Sequence, residues 1–214
     1  MRTNFDQGGF TIIELLIATT ILSTILVMTT VSMLGISRLY TKGISTSRVQ
    51  NSTRNINEEI TDLLENTSTG YQLANSPDGN THSICIGNTR YTYNVGKKIT
   101  ATPSGADQAM HALWRDTITP GNCAPPNNFL NTASPSPSTD GTELIPANSR
   151  LTVFNISSSS PYNIQIGVAM GDYDQFVGGV AGNVTGANTR CLINSASKFC
   201  ATSYLETTVS KRLN

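Results

Sequence analysis

The 214-residue chain predicts an α+β fold, with one long N-terminal helix that spans a membrane in its first half and a β-rich head after it. Three observations carry this prediction. Residues 10–36 are apolar or small apart from one ionisable side chain, Glu14. No proline interrupts the chain before Pro77. Beyond Ser83 the apolar residues stop recurring at helical spacing and begin to alternate.

The N-terminal run is long enough to cross a bilayer. In helical form it rises about 40 Å at ~1.5 Å per residue, against a hydrocarbon core of ~30 Å. A carboxylate in such a span is costly, and intramembrane ionisable groups usually mark a partner or a pathway. Glu14 therefore calls for a positive neighbour. Good helix formers return after Ile44, so the helix is expected to reach about Glu65. In this outer half Val49, Ile56, Ile60, Leu63 and Leu64 fall on one stripe that suits packing on a head domain. Gly35 and Gly43 are weak points, each costing up to ~1 kcal/mol relative to Ala.

The head reads mainly as strands and turns. Ile84 and Ile86, then Tyr91, Tyr93 and Val95, alternate around Gly87-Asn88 and predict a hairpin. Pro103-Ser104-Gly105-Ala106-Asp107 resembles a capped helix start, and Met110, Leu113, Trp114 and Ile118 would form its apolar side up to Pro120-Gly121. Residues 122–146 are rich in Pro, Asn and Ser and predict an exposed loop. Residues 151–156 and 162–169 form a second hairpin pattern around a turn at 157–161, and residues 204–209 a last strand.

Composition places the head outside the cell. Charged residues make up only 13% and the net charge is zero, so no bulk field favours nucleic acid. The four cysteines lie at Cys85, Cys123, Cys191 and Cys200, which suits two disulfides in an oxidising compartment. Their spacing does not fit a zinc knuckle, and His82 and His111 supply no second ligand pair. Of the three pairings open to four cysteines, local loop closure favours Cys85 with Cys123 and Cys191 with Cys200.

The residues around Glu14 resemble those of the prepilin family, the precursors of type IV pilins and of the pseudopilins of type II secretion and DNA-uptake machines. The matching features are a short polar leader ending in Gly9, then Phe10, Thr11, Glu14 and Leu15-Leu16 within a long apolar helix. The resemblance implies that prepilin peptidase cuts between Gly9 and Phe10 and methylates the new amino group of Phe10. It also implies that Glu14 pairs with the Phe10 amine of a neighbouring subunit during assembly. Each charge is expensive alone in lipid and far cheaper when paired.

The domain plan that follows is a leader at 1–9, a long helix at 10–66 spanning about 10–36, and a disulfide-containing pilin head at 67–214. By the same resemblance the helix packs under an antiparallel sheet, with a disulfide loop near the C-terminus. Expected partners are other pilin subunits, prepilin peptidase, the pilus assembly platform and the cytoplasmic membrane. The chain would sit as a single-pass protein with its head outside and then enter a cell-surface filament. Charge alone argues for the reverse orientation, since Arg38, Lys42 and Arg48 follow the span and only Arg2 and the amino terminus precede it. Orientation therefore rests on the resemblance and on the cysteines.

Function is expected to be structural. A minor pilin is the leading reading, because the head is long and irregular and Val31 stands where many major pilins have proline. A pseudopilin, or a membrane-tethered adhesin or ligand-binding module for a host surface or nucleic acid, are the alternatives. The helix bases Arg38, Lys42, Arg48 and Arg54 precede the acids Glu58, Glu59, Asp62 and Glu65. That order opposes the helix dipole and reads either as register between staggered subunits or as a solvated face.

No enzyme is expected and no cofactor. His111, Arg115 and Asp116 would share the predicted helix without any serine elbow or paired-carboxylate motif. Asp172-Tyr173-Asp174 lacks the alternating acids of a calcium loop, so no metal is assigned. Tyr91, Tyr93, Trp114, Tyr162, Tyr173 and Tyr204 are expected to pack in the core or on a sheet face.

Overall fold

The computed structural model describes residues 10–67, 70–119, 121–135, 140–193 and 199–212. Among the described residues, one helix, α1, runs Ile12–Asn66 without a break, followed by ten strands and one short 3₁₀ turn. The architecture is α+β and pilin-like, with α1 packed on β-sheets. The chain divides into two compact units, Met1–Thr41 and Lys42–Asn214.

In the first unit the side chains face outward, from Phe10 at 85% exposure just ahead of α1 through Leu22, Met28 and Ile36 on it. In the second unit the outer half of α1 buries Val49, Ile56, Ile60 and Leu64, with Leu63 partly covered. Residues 42–66 thus fold with the head. Each of these side chains contributes ~1.5–3 kcal/mol by leaving water, which outweighs the small propensity penalties of the polar positions between them.

The first sheet has the order β1-β2-β3-β6-β7, from strands Tyr71–Asn75, His82–Ile86, Thr89–Tyr93, Leu113–Thr117 and Thr142–Glu143, all antiparallel. The β2–β3 hairpin turns at Gly87-Asn88, where Gly87 takes φ +60°, a region open at little cost only to glycine. The second sheet has the order β10-β9-β8-β4-β5, from Ala201–Val209, Tyr162–Met170, Ser149–Ile156, Lys98–Ile99 and Gln108–Ala109. Its strands are antiparallel except for β4 with β5. Ile84, Tyr91, Leu151, Phe154, Ile164 and Ile166 join the α1 stripe in one continuous core.

Two sequence expectations fail. No helix forms at 104–118; residues 113–117 are β6, paired with β3 on one side and β7 on the other. Asp107 does not cap anything helical, because its carboxylate is taken by Arg150 and by the Gly182 amide. Strand pairing wins because it buries Leu113 and Asp116 against partners far away in sequence, which outweighs local spacing. Residues 122–135 are also more than an exposed loop. Cys123 and Phe129 are buried, and Cys123 is bonded to Cys85 on β2.

Candidate functional site: the N-terminal helix and the buried polar nodes of the head

The helix start is built by two residues, Thr11 and Glu14. Thr11 precedes the first turn, and its backbone amide and hydroxyl both donate to Oε2 of Glu14, at 2.9 and 2.8 Å. The Glu14 amide donates back to the Thr11 hydroxyl at 3.3 Å. This reciprocal cap occupies donors that a helix N-terminus otherwise leaves unpaired, and it holds the carboxylate at the positive end of the helix dipole. Both Thr11 bonds fall on one carboxylate oxygen. Gly9 lies outside the described residues.

Farther along, the polar residues of the span serve their own backbone. The hydroxyls of Thr19, Thr20, Ser23, Thr24, Thr29, Thr30 and Ser32 each donate to a carbonyl three or four residues back. With its donors satisfied internally, the segment can sit in hydrocarbon. Its most apolar stretch has a mean hydropathy of 2.1, long and apolar enough to cross a membrane.

In the head, the helix acids meet the sheet. Glu59 accepts from the Tyr91 hydroxyl at 2.5 Å and from Arg115 at 3.0 Å, and burial with this carboxylate beside it pushes the Tyr91 phenol far up. Glu65 pairs with Arg212 at 3.2 Å, just after β10. Two of the four helix acids are thus spent within the chain, and only Glu58 and Asp62 stay exposed.

Two buried arginines escape the sequence reading. Arg90 on β3 lies directly across from Asp116 on β6, donates to Asp116 Oδ1 at 3.0 Å and Oδ2, and reaches the Ala124 carbonyl at 2.5 Å. Arg150 on β8 donates to Asp107 at 2.7 and 3.2 Å and to the Gly96 and Gly171 carbonyls at 2.9 and 3.1 Å. These side chains pin loops to sheets. The only sequence signal is an arginine inside a strand with an acid far away, which no local pattern connects.

The residues grouped in sequence as His111, Arg115 and Asp116 are separated in space by their partners. His111 contacts Glu143, Arg115 contacts Glu59 and Asp116 contacts Arg90. Asp172, the residue that caps the 3₁₀ turn Tyr173–Gln175, pairs with Lys98. No cluster of three or more His, Cys, Asp or Glu suited to a metal occurs among the described residues. Of the aromatics, Tyr91 and Tyr162 are buried, Tyr93 and Trp114 are half-buried, and Tyr173 and Tyr204 reach the surface. A second bridge joins Cys191 to Cys200.

No curated protein and no solved structure matches the chain. Residues 4–30 match the family model described as the prokaryotic N-terminal methylation motif. With Glu14 folded into the start of a long outward-facing apolar helix, this chain carries at its N-terminus the signature of the type IV pilin family.

Proposed function

We propose that the chain is a structural subunit of a type IV pilus-like filament, most specifically a minor pilin. The observation that carries the reading is the N-terminal methylation motif at residues 4–30 on a helix whose apolar side chains are unburied. Prepilin peptidase removes residues 1–9 after Gly9 and methylates Phe10. The subunit waits in the cytoplasmic membrane with its head outside, and then enters the filament through helix packing. Glu14 binds the Phe10 amine of the next subunit through Oε1, the oxygen turned away from Thr11. The disulfides Cys85–Cys123 and Cys191–Cys200 support an oxidising location for the head.

Processing is tested by the mass of the membrane-extracted protein, which should begin at a methylated Phe10. A wild-type mass that retains residues 1–9 overturns the reading. Incorporation is tested by quantitative mass spectrometry of sheared filaments, where a minor pilin is present well below the main subunit. Finding the chain only in the membrane while filaments form normally favours the pseudopilin alternative.

A further inference from the structure

The node around His111 has a hydrogen-bonding requirement that fixes a proton count. His111 is buried just ahead of β6, with Nε2 at 3.0 Å from the Thr132 carbonyl and Nδ1 at 3.2 Å from Oε2 of Glu143 on β7. A carbonyl only accepts, so Nε2 must carry hydrogen for that bond. Glu143 already accepts from the Leu113 amide at 2.9 Å and the Ala112 amide at 3.3 Å, which ties both its oxygens to the backbone. Both ring contacts therefore form together only if the pair holds one proton more than a neutral imidazole beside a carboxylate.

We propose that His111 and Glu143 share this proton as a latch that ties residues 129–132 to the first sheet and releases them as pH rises. When the proton leaves, an acceptor faces an acceptor and one contact must open. Glu143 is fixed by two amides of the adjoining strand. Thr132 belongs to a loop segment that is held to the sheet edge otherwise by buried Phe129 and by the Leu130 carbonyl, which accepts from the Met110 amide at 2.8 Å. The loop contact is thus the one that yields.

The surroundings suit a proton-dependent contact. Trp114 stands edge-on to His111 at 4.4 Å, Phe129 lies 5.5 Å away on the loop side, and both exclude water. At Gly141 a Cβ would fall 2.0 Å from the Trp114 ring, so β7 is brought in by a residue without a side chain. Burial raises the Glu143 carboxyl above the ordinary range, with the His111 contact and the two amides acting against that rise. The other charged groups on the packed elements are committed elsewhere: Arg115 to Glu59 of α1, and Asp116 to Arg90 of β3. Asp140, next to β7, is exposed.

The chain supplies its own reporter, since Trp114 is the single tryptophan. An imidazolium against indole quenches emission, and a neutral ring does not. Full-length protein in detergent is titrated by fluorescence, and amide exchange at Met110 and Asn131 is followed in parallel. Glu143→Gln serves as reference at each pH, because its amide donates to Nδ1 and satisfies both ring contacts without the extra proton, giving up only the long 3.3 Å bond from the Ala112 amide while its oxygen keeps the Leu113 amide. The expected result is a Trp114 transition in wild type that is absent in Glu143→Gln. Alongside it, the wild-type to variant protection ratio should fall by roughly tenfold per pH unit above that transition, the slope of one linked proton. A ratio that stays flat, or a Glu143→Gln titration matching wild type, overturns the latch. Trp114 emission that titrates while exchange does not also overturns it. Should Glu143→Gln misfold, His111→Gln takes its place, since its amide donates to Thr132 at every pH.

Discussion

Buried charge is where single residues decide most in this head. Arg90 and Asp116 are almost entirely shielded, so each depends on the other for its solvation. Asp116→Ala should destabilise the head by ~3–5 kcal/mol, because it strands a guanidinium in the interior. Replacing both residues by apolar ones of similar size should recover most of that loss, and urea unfolding followed by Trp114 emission measures both. At the surface, Asp78 behaves differently. The Ser76 hydroxyl first, then the Asn80 amide and side chain, hold its carboxyl below the ordinary range. A depressed folded-state value means the turn at residues 76–80 is favoured above the unfolded pKa and weakened as pH falls through the lowered one. The Asn80 amide resonance should move in that acidic window in wild type and stay put in Asp78→Asn.

Among the elements, α1 shows how far periodicity carries. Its stripe of Val49, Ile56, Ile60 and Leu64 is the face that the sheets cover, because i, i+4 and i+7 positions share a side whatever they meet. Ile60→Ala should cost ~2–5 kcal/mol, read as a lowered denaturant midpoint without loss of membrane insertion. The β2–β3 and β8–β9 hairpins were equally legible, since turn chemistry and alternation are both local. Strand β6 was not. Met110, Leu113, Trp114 and Ile118 satisfy a helical template, yet β6 is held by the register Tyr93↔Leu113 and Tyr91↔Arg115, set from about twenty residues away. The cover formed by residues 121–135 was hidden for the same reason. Its anchors are the Cys85–Cys123 bridge, Arg90 to the Ala124 carbonyl, and buried Phe129. Replacing Cys85 and Cys123 together by Ser should lower stability by ~2–4 kcal/mol. The Cys191–Cys200 pair closes a separation of 9 rather than 38 residues, so its loss should cost less by the loop-closure argument.

At the scale of the whole molecule, the proposed assembly turns on one carboxylate. Glu14→Ala should leave the chain inserted and cut at Gly9 but depleted from sheared filaments, as judged by immunoblot of filament and membrane fractions. Normal incorporation removes the register role. Gly9→Leu should instead leave residues 1–9 attached and keep the protein in the membrane. These expectations come from the N-terminal 30 residues, where the family signature lies. A bilayer-length helix and its capping acid are properties of contiguous chain, set by hydrophobicity and by bonds between neighbours, and they can be read without a fold. Which acids of the outer helix remain for a partner is a different kind of fact. Glu59 and Glu65 are consumed by Arg115 and Arg212, and His111 finds its acid on β7, only because distant segments are brought together. Local order is written in spacing and propensity, whereas the partners of buried charge exist only after long-range strand pairing has closed the core.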